Sequence, residues 1–247
     1  DDFRLILRAR FLDEAESGPW KTKTMFRVPG AGQEMAQIAS VKYLQPGDWD
    51  RSYYRTTAAS LKTKVMTVRQ MAAQLFGDTT TGKDPSSGGR MMEHHHGTRI
   101  LSPTGLIDLT QQVNHASDTS STGTQLPVAF GLARASRLFR EAGPHEAFRT
   151  LSRAGKEVVL VTVGDGSLAE GTCFEAIAQA VIQKVPLVIC VMDNEYAISV
   201  TGDLQVPHGD ISKALKGFAS CQGSEGLRIM PRVEGWDYAG LCMTFET

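Results

Sequence analysis

Apolar positions along the chain fall into two periods. Leu5, Leu7, Ala9 and Leu12 are partly helical in spacing across Phe3 to Glu16. Gln33 to Leu44 reads as a second helix, stopped by Pro46-Gly47. Val68, Met71, Ala72, Leu75 and Phe76 recur at the spacing of an amphipathic helix, with Gly77 placed to cap it. Val128, Leu132, Ala135 and Phe139 form another stripe behind Pro127, which suits the first position of that helix. Glu157 to Val163 differs: it is a nearly continuous β-branched run, as expected of a strand covered on both faces. Leu187 to Met192 repeats that pattern. Between the two, Phe174, Ile177, Ala178, Val181 and Ile182 give a helical stripe, opened by a Ser167-x-x-Glu170 capping box and closed at Val185-Pro186. Strand, helix, strand predicts a right-handed parallel crossover. Ile211, Leu215 and Phe218 mark a further helix, and Leu227 to Val233 a third strand. Asp78 to Gly89 and Gln111 to Gly123 read as polar loops, and Glu141 to Gly155 as a connecting excursion.

These elements predict an α/β protein whose parallel sheet is flanked by helices on both faces. Composition changes that picture little. The 247 residues are 41% apolar and 21% charged, enough for one large domain over 1–247 with a substantial core. A net charge of −1 supplies no field for nucleic acid or an acidic membrane surface. No uncharged apolar stretch reaches the ~20 residues of a membrane span. Asp1-Asp2-Phe3-Arg4 is not a basic start followed by an apolar run, so no export signal is expected. Cys173, Cys190, Cys221 and Cys242 are widely spaced, and the first two sit in apolar segments. Free thiols in a reducing compartment follow, cytoplasmic or the mitochondrial matrix of a eukaryote. The chain stops just after an apolar segment with no closing turn signal, as a piece of a longer polypeptide would.

The candidate chemistry lies at the strand ends. Gly164-Asp165-Gly166-Ser167 follows the first apolar strand and Asp193-Asn194 the second. One crossover unit therefore brings Asp165 and Asn194 to the same sheet edge, where open α/β sheets bind ligands. Glycines there admit a phosphate closely, and a helix beginning near Ser167 offers free amides to an anion. A lone aspartate would repel that phosphate. A divalent cation between them removes the conflict, and carboxylate and carboxamide oxygens suit Mg²⁺. Each half alone is ordinary turn chemistry. A nicotinamide-type glycine turn fits poorly, because Ala169 stands where its third glycine belongs.

Gly164-Asp165-Gly166 with Asn194 resembles the thiamine diphosphate motif. Asp193-Asn194-Glu195-Tyr196-Ala197-Ile198-Ser199 resembles the Asn-Asn-Gly-Tyr-Ala-Ile-Ser stretch of the alpha component of 2-oxo acid dehydrogenases, especially the branched-chain type. Ser52-Tyr53-Tyr54-Arg55 resembles that family's Tyr-Arg pair. Gly89-Arg90-Met91-Met92 through His95 resembles its Gly-Arg-x-Met-x-x-His loop, and Ser120 through Pro127 its Ser-Pro-Leu-Ala-Thr-Gln-Ile-Pro segment. Lys216-Gly217-Phe218 and Val233 through Tyr238 look closest to bacterial forms with alpha and beta parts fused. The similarities keep family order.

That resemblance implies the thiamine diphosphate-binding fold and a set of roles. Asp165, Asn194 and the Tyr196 carbonyl would hold Mg²⁺. Tyr54 and Arg55 would contact the diphosphate, and Gly164, Gly166 and Ser167 would border it. Thr122 would sit near the thiazolium ring, Ile198 would line the cofactor pocket, and His95 would stand near the reacting centre. Thr119, Ser120, Thr124 and Gln125 form either a potassium site or a capped loop. The implied activity is oxidative decarboxylation of a branched-chain or pyruvate-like 2-oxo acid, with acyl transfer to a lipoyl-bearing acyltransferase core. A beta-type component would complete the site in a homodimer or heterotetramer, and no beta part is found in these residues. A transketolase-type thiamine enzyme and a non-catalytic α/β binding module are the alternatives. Adjacent histidines point in different directions, which argues against zinc at His94-His95-His96. Glu195 stands where the family has glycine, and Met192 where relatives often carry a polar or basic residue.

Overall fold

The computed structural model describes residues 1–24, 28–80, 82–84 and 86–246; positions 81 and 85 of the first polar loop lie outside that set. Along the chain run α1 (Asp2–Ser17), α2 (Glu34–Val41), β1 (Trp49–Arg51), α3 (Thr57–Thr63) and α4 (Val68–Leu75). Next come the hairpin β2 (Leu101–Ser102) and β3 (Gly105–Leu106), then β4 (Asn114–His115), α5 (Gln125–Ala142), β5 (Val159–Gly164), α6 (Asp165–Leu168), α7 (Gly171–Gln183) and β6 (Leu187–Met192). After β6 follow the hairpin β7 (Tyr196–Ala197) and β8 (Val200–Thr201), and α8 (Gly202–Gln205). The chain closes with α9 (Ile211–Ala214), the hairpin β9 (Ser220–Cys221) and β10 (Ser224–Glu225), and α10 (Tyr238–Glu246).

Four strands form one parallel sheet in the order β4-β1-β5-β6. β5 is its centre. Val159, Val161 and Val163 point to one face and pack with Leu126, Ala129 and Ala133 of α5 and Cys173, Ala176 and Ile177 of α7. Leu160 points to the other face, against Val41 of α2 and Ala59 of α3. Alternation along the strand thus buries both faces, as the run of β-branched residues predicts. The order makes β1 and β5 the neighbours between which the chain reverses its direction of travel across the sheet. The crevice beyond their C-terminal ends is the topological switch point.

The structure departs from the pattern in definite places. Pro127 occupies the third position of α5, because the chain already turns at Gly123, whose carbonyl accepts the Leu126 N–H. The first four N–H groups of a helix have no intrahelical partner, so proline costs little there as well. No Ser167–Glu170 box forms: Ser167 lies inside the short turn α6, and Glu170 itself is the extended N-cap of α7. Leu227 to Val233 is irregular. Leu227 and Ile229 still pack on the core, but Pro231 has no N–H to give a ladder. Ile211 to Phe218 splits into α9 and a 3₁₀ turn. β6 is an edge of the described sheet, with Val188 exposed rather than covered. The second polar loop hides a strand: Asn114 and His115 are buried and form β4.

Where the expectation holds, local chemistry explains it. α4 opens with a capping box in which Thr67 and Gln70 satisfy each other's backbone N–H, and Gly77 follows its end with φ +60°. All four cysteines are free. Among the described residues no helix is long and apolar enough to cross a membrane.

Candidate functional site

β5 delivers Asp165 to the switch point. Its side chain is 5% exposed, and its Oδ2 is buried with no hydrogen-bond partner. Burial raises the carboxyl above the ordinary carboxylate range; the Asp193 charge adds to the rise, while the N–H groups of Gly166 and Asn194 oppose it. Asp165 and Asn194 are therefore side by side, as their spacing of 29 positions predicts. The Asn194 carboxamide oxygen accepts the Tyr196 N–H at 3.1 Å, and Asp193 accepts the Glu195 N–H at 3.0 Å. These two turns shape the loop that faces Asp165.

Gly166 is required by close approach. A Cβ there would stand 2.8 Å from Gln205 Oε1 and would overlap the Ala197 side chain. Glu195 has φ +66°, a conformation in which glycine is at home, which accounts for the glycine of the resembling motif. Ile198 has φ +57° and is fully exposed at the β7–β8 turn. Only the first central residue of that turn has positive φ, where hairpins favour glycine. A β-branched residue held there is strained by order 1–3 kcal/mol, a condition that clusters at ligand sites. Among the described residues nothing covers Ile198.

Across the crevice, the end of β1 leads to Tyr53, Tyr54 and Arg55. Tyr53 is the buried member: its hydroxyl donates to Gln33 Oε1 at 2.6 Å, and its ring lies 3.7 Å from where a Gly164 Cβ would be. Its burial pushes its pKa upward, so the phenol stays protonated. Tyr54 is half-buried beside it, with ring centroids 4.9 Å apart. Arg55 stacks over Tyr54 at 5.2 Å and donates to the Pro29 carbonyl at 2.6 Å.

The loop from Asp118 to Thr124 forms the third wall. Gly123 packs against Glu170 and Cys173, and the Cys173 thiol donates to the carbonyls of Gly123 and Ser167. This draws the Thr122 loop towards the Gly-Asp-Gly turn, with Thr122 itself exposed. His95 Nδ1 lies 2.9 Å from the Glu93 carbonyl, which can only accept, so Nδ1 carries the proton. Nε2 is then free to accept from Ser120 Oγ at 3.0 Å. His95 reaches the site through this serine; no contact joins it to Asp165 among the described residues. His94 and His96 turn elsewhere, to Thr57 and Ser60, and burial keeps both uncharged at neutral pH, His94 down to about 3. The three histidines do not converge.

Several neighbours carry no local signal in the sequence. Arg232 bridges Asp193 at 3.6 Å and Glu195 at 3.3 Å, tying the irregular Leu227–Val233 segment to the acidic loop. Gln205 and Tyr53 border the glycines. Concavities elsewhere, beside Phe139, His145 and Phe148 and beside Met230, Arg232 and Met243, contain none of the orphaned buried polar atoms.

The donor set suits a hard cation. A buried, partnerless carboxylate oxygen, on a carboxylate that the Asn194 N–H also approaches, is the kind of donor that fits a hard divalent cation. Fold and site together define a parallel α/β protein with an acidic, glycine-lined crevice at its switch point. Residues 4–220 match the dehydrogenase E1 component family, and the chain belongs to that family. Over 245 residues it is 30% identical to the 2-oxoisovalerate dehydrogenase subunit alpha of Bacillus subtilis (strain 168), covering 95% of this chain and 64% of that protein. It is 30% identical over 170 residues to a chloroplastic pyruvate dehydrogenase E1 component subunit alpha-3 of Oryza sativa subsp. japonica, covering 69% of this chain and 35% of the relative. It is 28% identical over 171 residues to the pyruvate dehydrogenase E1 component subunit alpha of Acholeplasma laidlawii, covering 69% and 38%. The chain therefore spans less than two thirds of each of these relatives. The resemblance to alpha components of 2-oxo acid dehydrogenases is borne out.

Proposed function

We propose that this chain is the diphosphate-binding, alpha-type part of a thiamine diphosphate- and Mg²⁺-dependent 2-oxo acid dehydrogenase. The observation that carries the reading is the buried, partnerless Asp165 Oδ2 beside Asn194 at the switch point. Asp165, Asn194 and the Tyr196 carbonyl hold the cation. Gly164, Gly166 and Ser167 would border the diphosphate that such a cation carries. Arg55, which donates to the Pro29 carbonyl here, would contact the diphosphate, because its fork matches phosphate oxygens, and Tyr54 would flank it. Thr122 and Ile198 border the ring end of the cofactor. When bound, the cofactor supplies an electron sink for decarboxylation of a 2-oxo acid. His95, with Nδ1 protonated and Nε2 accepting from Ser120, serves as a proton acceptor through that serine near the reacting centre.

The remaining roles belong to the same proposal. The substrate is a branched-chain or pyruvate-like 2-oxo acid, and the acyl unit passes to a lipoyl-bearing acyltransferase core. A beta-type component covers the site. The apolar surface of Tyr196, Ile198, Val200 and Leu204, exposed beside Asn194, supports such a cover. A potassium ion in the Thr119–Gln125 loop is supported by Gln125 Oε1, which is buried without a partner.

Isothermal titration calorimetry of the full chain tests the core of the reading. Thiamine diphosphate binding that requires Mg²⁺ and is abolished in Asp165→Ala is the expected result. Equal affinity in wild type and variant contradicts it.

A further inference from the structure

The ladder between β1 and β4 is only two residues long, Trp49↔Asn114 and Asp50↔His115. A last backbone bond, Ala116 N–H to the Asp50 carbonyl at 3.0 Å, follows, and the strands part. Beyond that point the chain from β4 becomes the loop carrying Ser120 and Thr122, while β1 runs on to Tyr54 and Arg55. What spans the gap is a side chain. Arg51 is 0% exposed. Its Nη1 donates to Asp118 Oδ1 at 2.7 Å and to the Ser52 carbonyl at 2.9 Å, and its Nη2 donates to Thr119 Oγ1 at 3.2 Å. The side chains of this ion pair are 0% and 2% exposed. Thr119 in turn contacts Thr124 through their hydroxyls, and Asp118 also accepts its neighbour's N–H at 2.8 Å. One guanidinium thus holds the start of the loop, and the Thr119 hydroxyl it grips ties that start to the loop's end at Thr124.

Stability alone is a poor reason for the pair. Desolvating two charges offsets most of their attraction, and apolar residues of similar volume often stabilise as well or better. Arg51 Nε is moreover left buried without a partner. Geometry is the better reason: a planar fork fixes direction as well as distance.

We propose that Arg51 and Asp118 are positioning residues that set the gap between the Tyr54-Arg55 strand end and the Thr122 loop, and with it the seat for the ring end of the bound cofactor. The cofactor part of this inference rests on the function proposed above.

The test is hydrogen–deuterium exchange on the full chain, read beside thermal unfolding and Mg²⁺-thiamine diphosphate calorimetry. Arg51→Lys retains the buried cation but loses the fork. Amides of residues 119–124 should exchange at least tenfold faster, while those of β5 and α7 stay as in wild type. The paired Arg51→Met, Asp118→Leu variant should recover wild-type thermal stability, yet keep fast loop exchange and bind the cofactor about tenfold more weakly. Wild-type loop exchange in Arg51→Lys, or wild-type exchange and affinity in the double variant, overturns the proposal. If wild type binds no thiamine diphosphate, the functional reading falls, and the exchange result still decides whether the pair positions the loop.

Discussion

The two halves of the central sheet are built on opposite principles. β5 and its helices are apolar: Val159, Val161, Val163, Leu126 and Ile177 are buried with nothing to satisfy but shape. β1 and β4 are buried as deeply, yet their side chains are Asp50, Arg51, Asn114 and His115. Each of these finds a partner across the chain. His115 Nδ1 donates to Asp50 at 3.1 Å, Ser52 donates to Asp50 at 2.6 Å, Arg51 donates to Asp118, and Asn114 donates to the Leu109 carbonyl at 2.7 Å. The apolar half offers a firm strand end on which Asp165 is mounted. The polar half fixes directions, and it lies under the loops that would border the cofactor.

The largest effects should come from single truncations in either half, and partner truncation should tell the halves apart. Asp118→Ala leaves Arg51 buried and unpaired, a loss of about 3–5 kcal/mol. Ile177→Ala leaves a cavity, a loss of about 2–5 kcal/mol. Chemical denaturation should find comparable losses. Adding Arg51→Met should restore much of the first, whereas truncating an apolar neighbour such as Val161 should deepen the second. Rescue in both halves, or in neither, breaks the comparison.

A pH series gives a smaller effect. Asp13 in α1 is buried beside Glu16 and Glu34, and burial lifts its carboxyl to about 7. The folded pKa lies above the unfolded one, so this group favours folding most when protonated. Its contribution falls as pH rises from about 4 through 7. Asp13→Asn mimics the protonated acid. Its melting temperature should match wild type near pH 4 and exceed it increasingly towards pH 8. A constant difference across that range contradicts the assignment.

The smallest effect concerns strain. Ile198 adopts φ +57° with its side chain fully in solvent. Relief of a left-handed conformation gains roughly 1–2 kcal/mol, and glycine's extra unfolded-state freedom costs roughly 0.5–1 kcal/mol. Ile198→Gly should therefore stabilise the isolated chain by up to about 1 kcal/mol. Destabilisation would show that the turn is unstrained.

The contrast between the halves also explains what sequence patterns disclosed. β5, α7 and β6 were legible because their burial is written in apolar residues at periods of two and 3.6. β1 and β4 were not, because hydropathy reads Asp50-Arg51 and Asn114-His115 as solvent-facing. The Asp50–His115 and Arg51–Asp118 partners lie 65 and 67 positions apart, and only the fold brings them together. Asp165 and Asn194 were legible because one crossover unit links them. Arg232 depends on an irregular segment folding back, Leu227 to Val233, where helix and strand periods say nothing. The exposed edge of β6 was missed because a half-covered strand of Leu, Val, Ile and Cys carries the same composition as a covered one.

The central claim is that Asp165 is kept for its ligand at some cost to the fold. Thermal unfolding of wild type and Asp165→Asn, each with and without Mg²⁺ and thiamine diphosphate, tests it most directly. Burial disfavours the Asp165 charge, so the ligand-free variant should melt at or above the wild-type temperature. Ligand should raise the wild-type melting temperature and leave the variant unmoved. A variant that melts lower than wild type, yet is still stabilised by Mg²⁺ and thiamine diphosphate, would contradict the account.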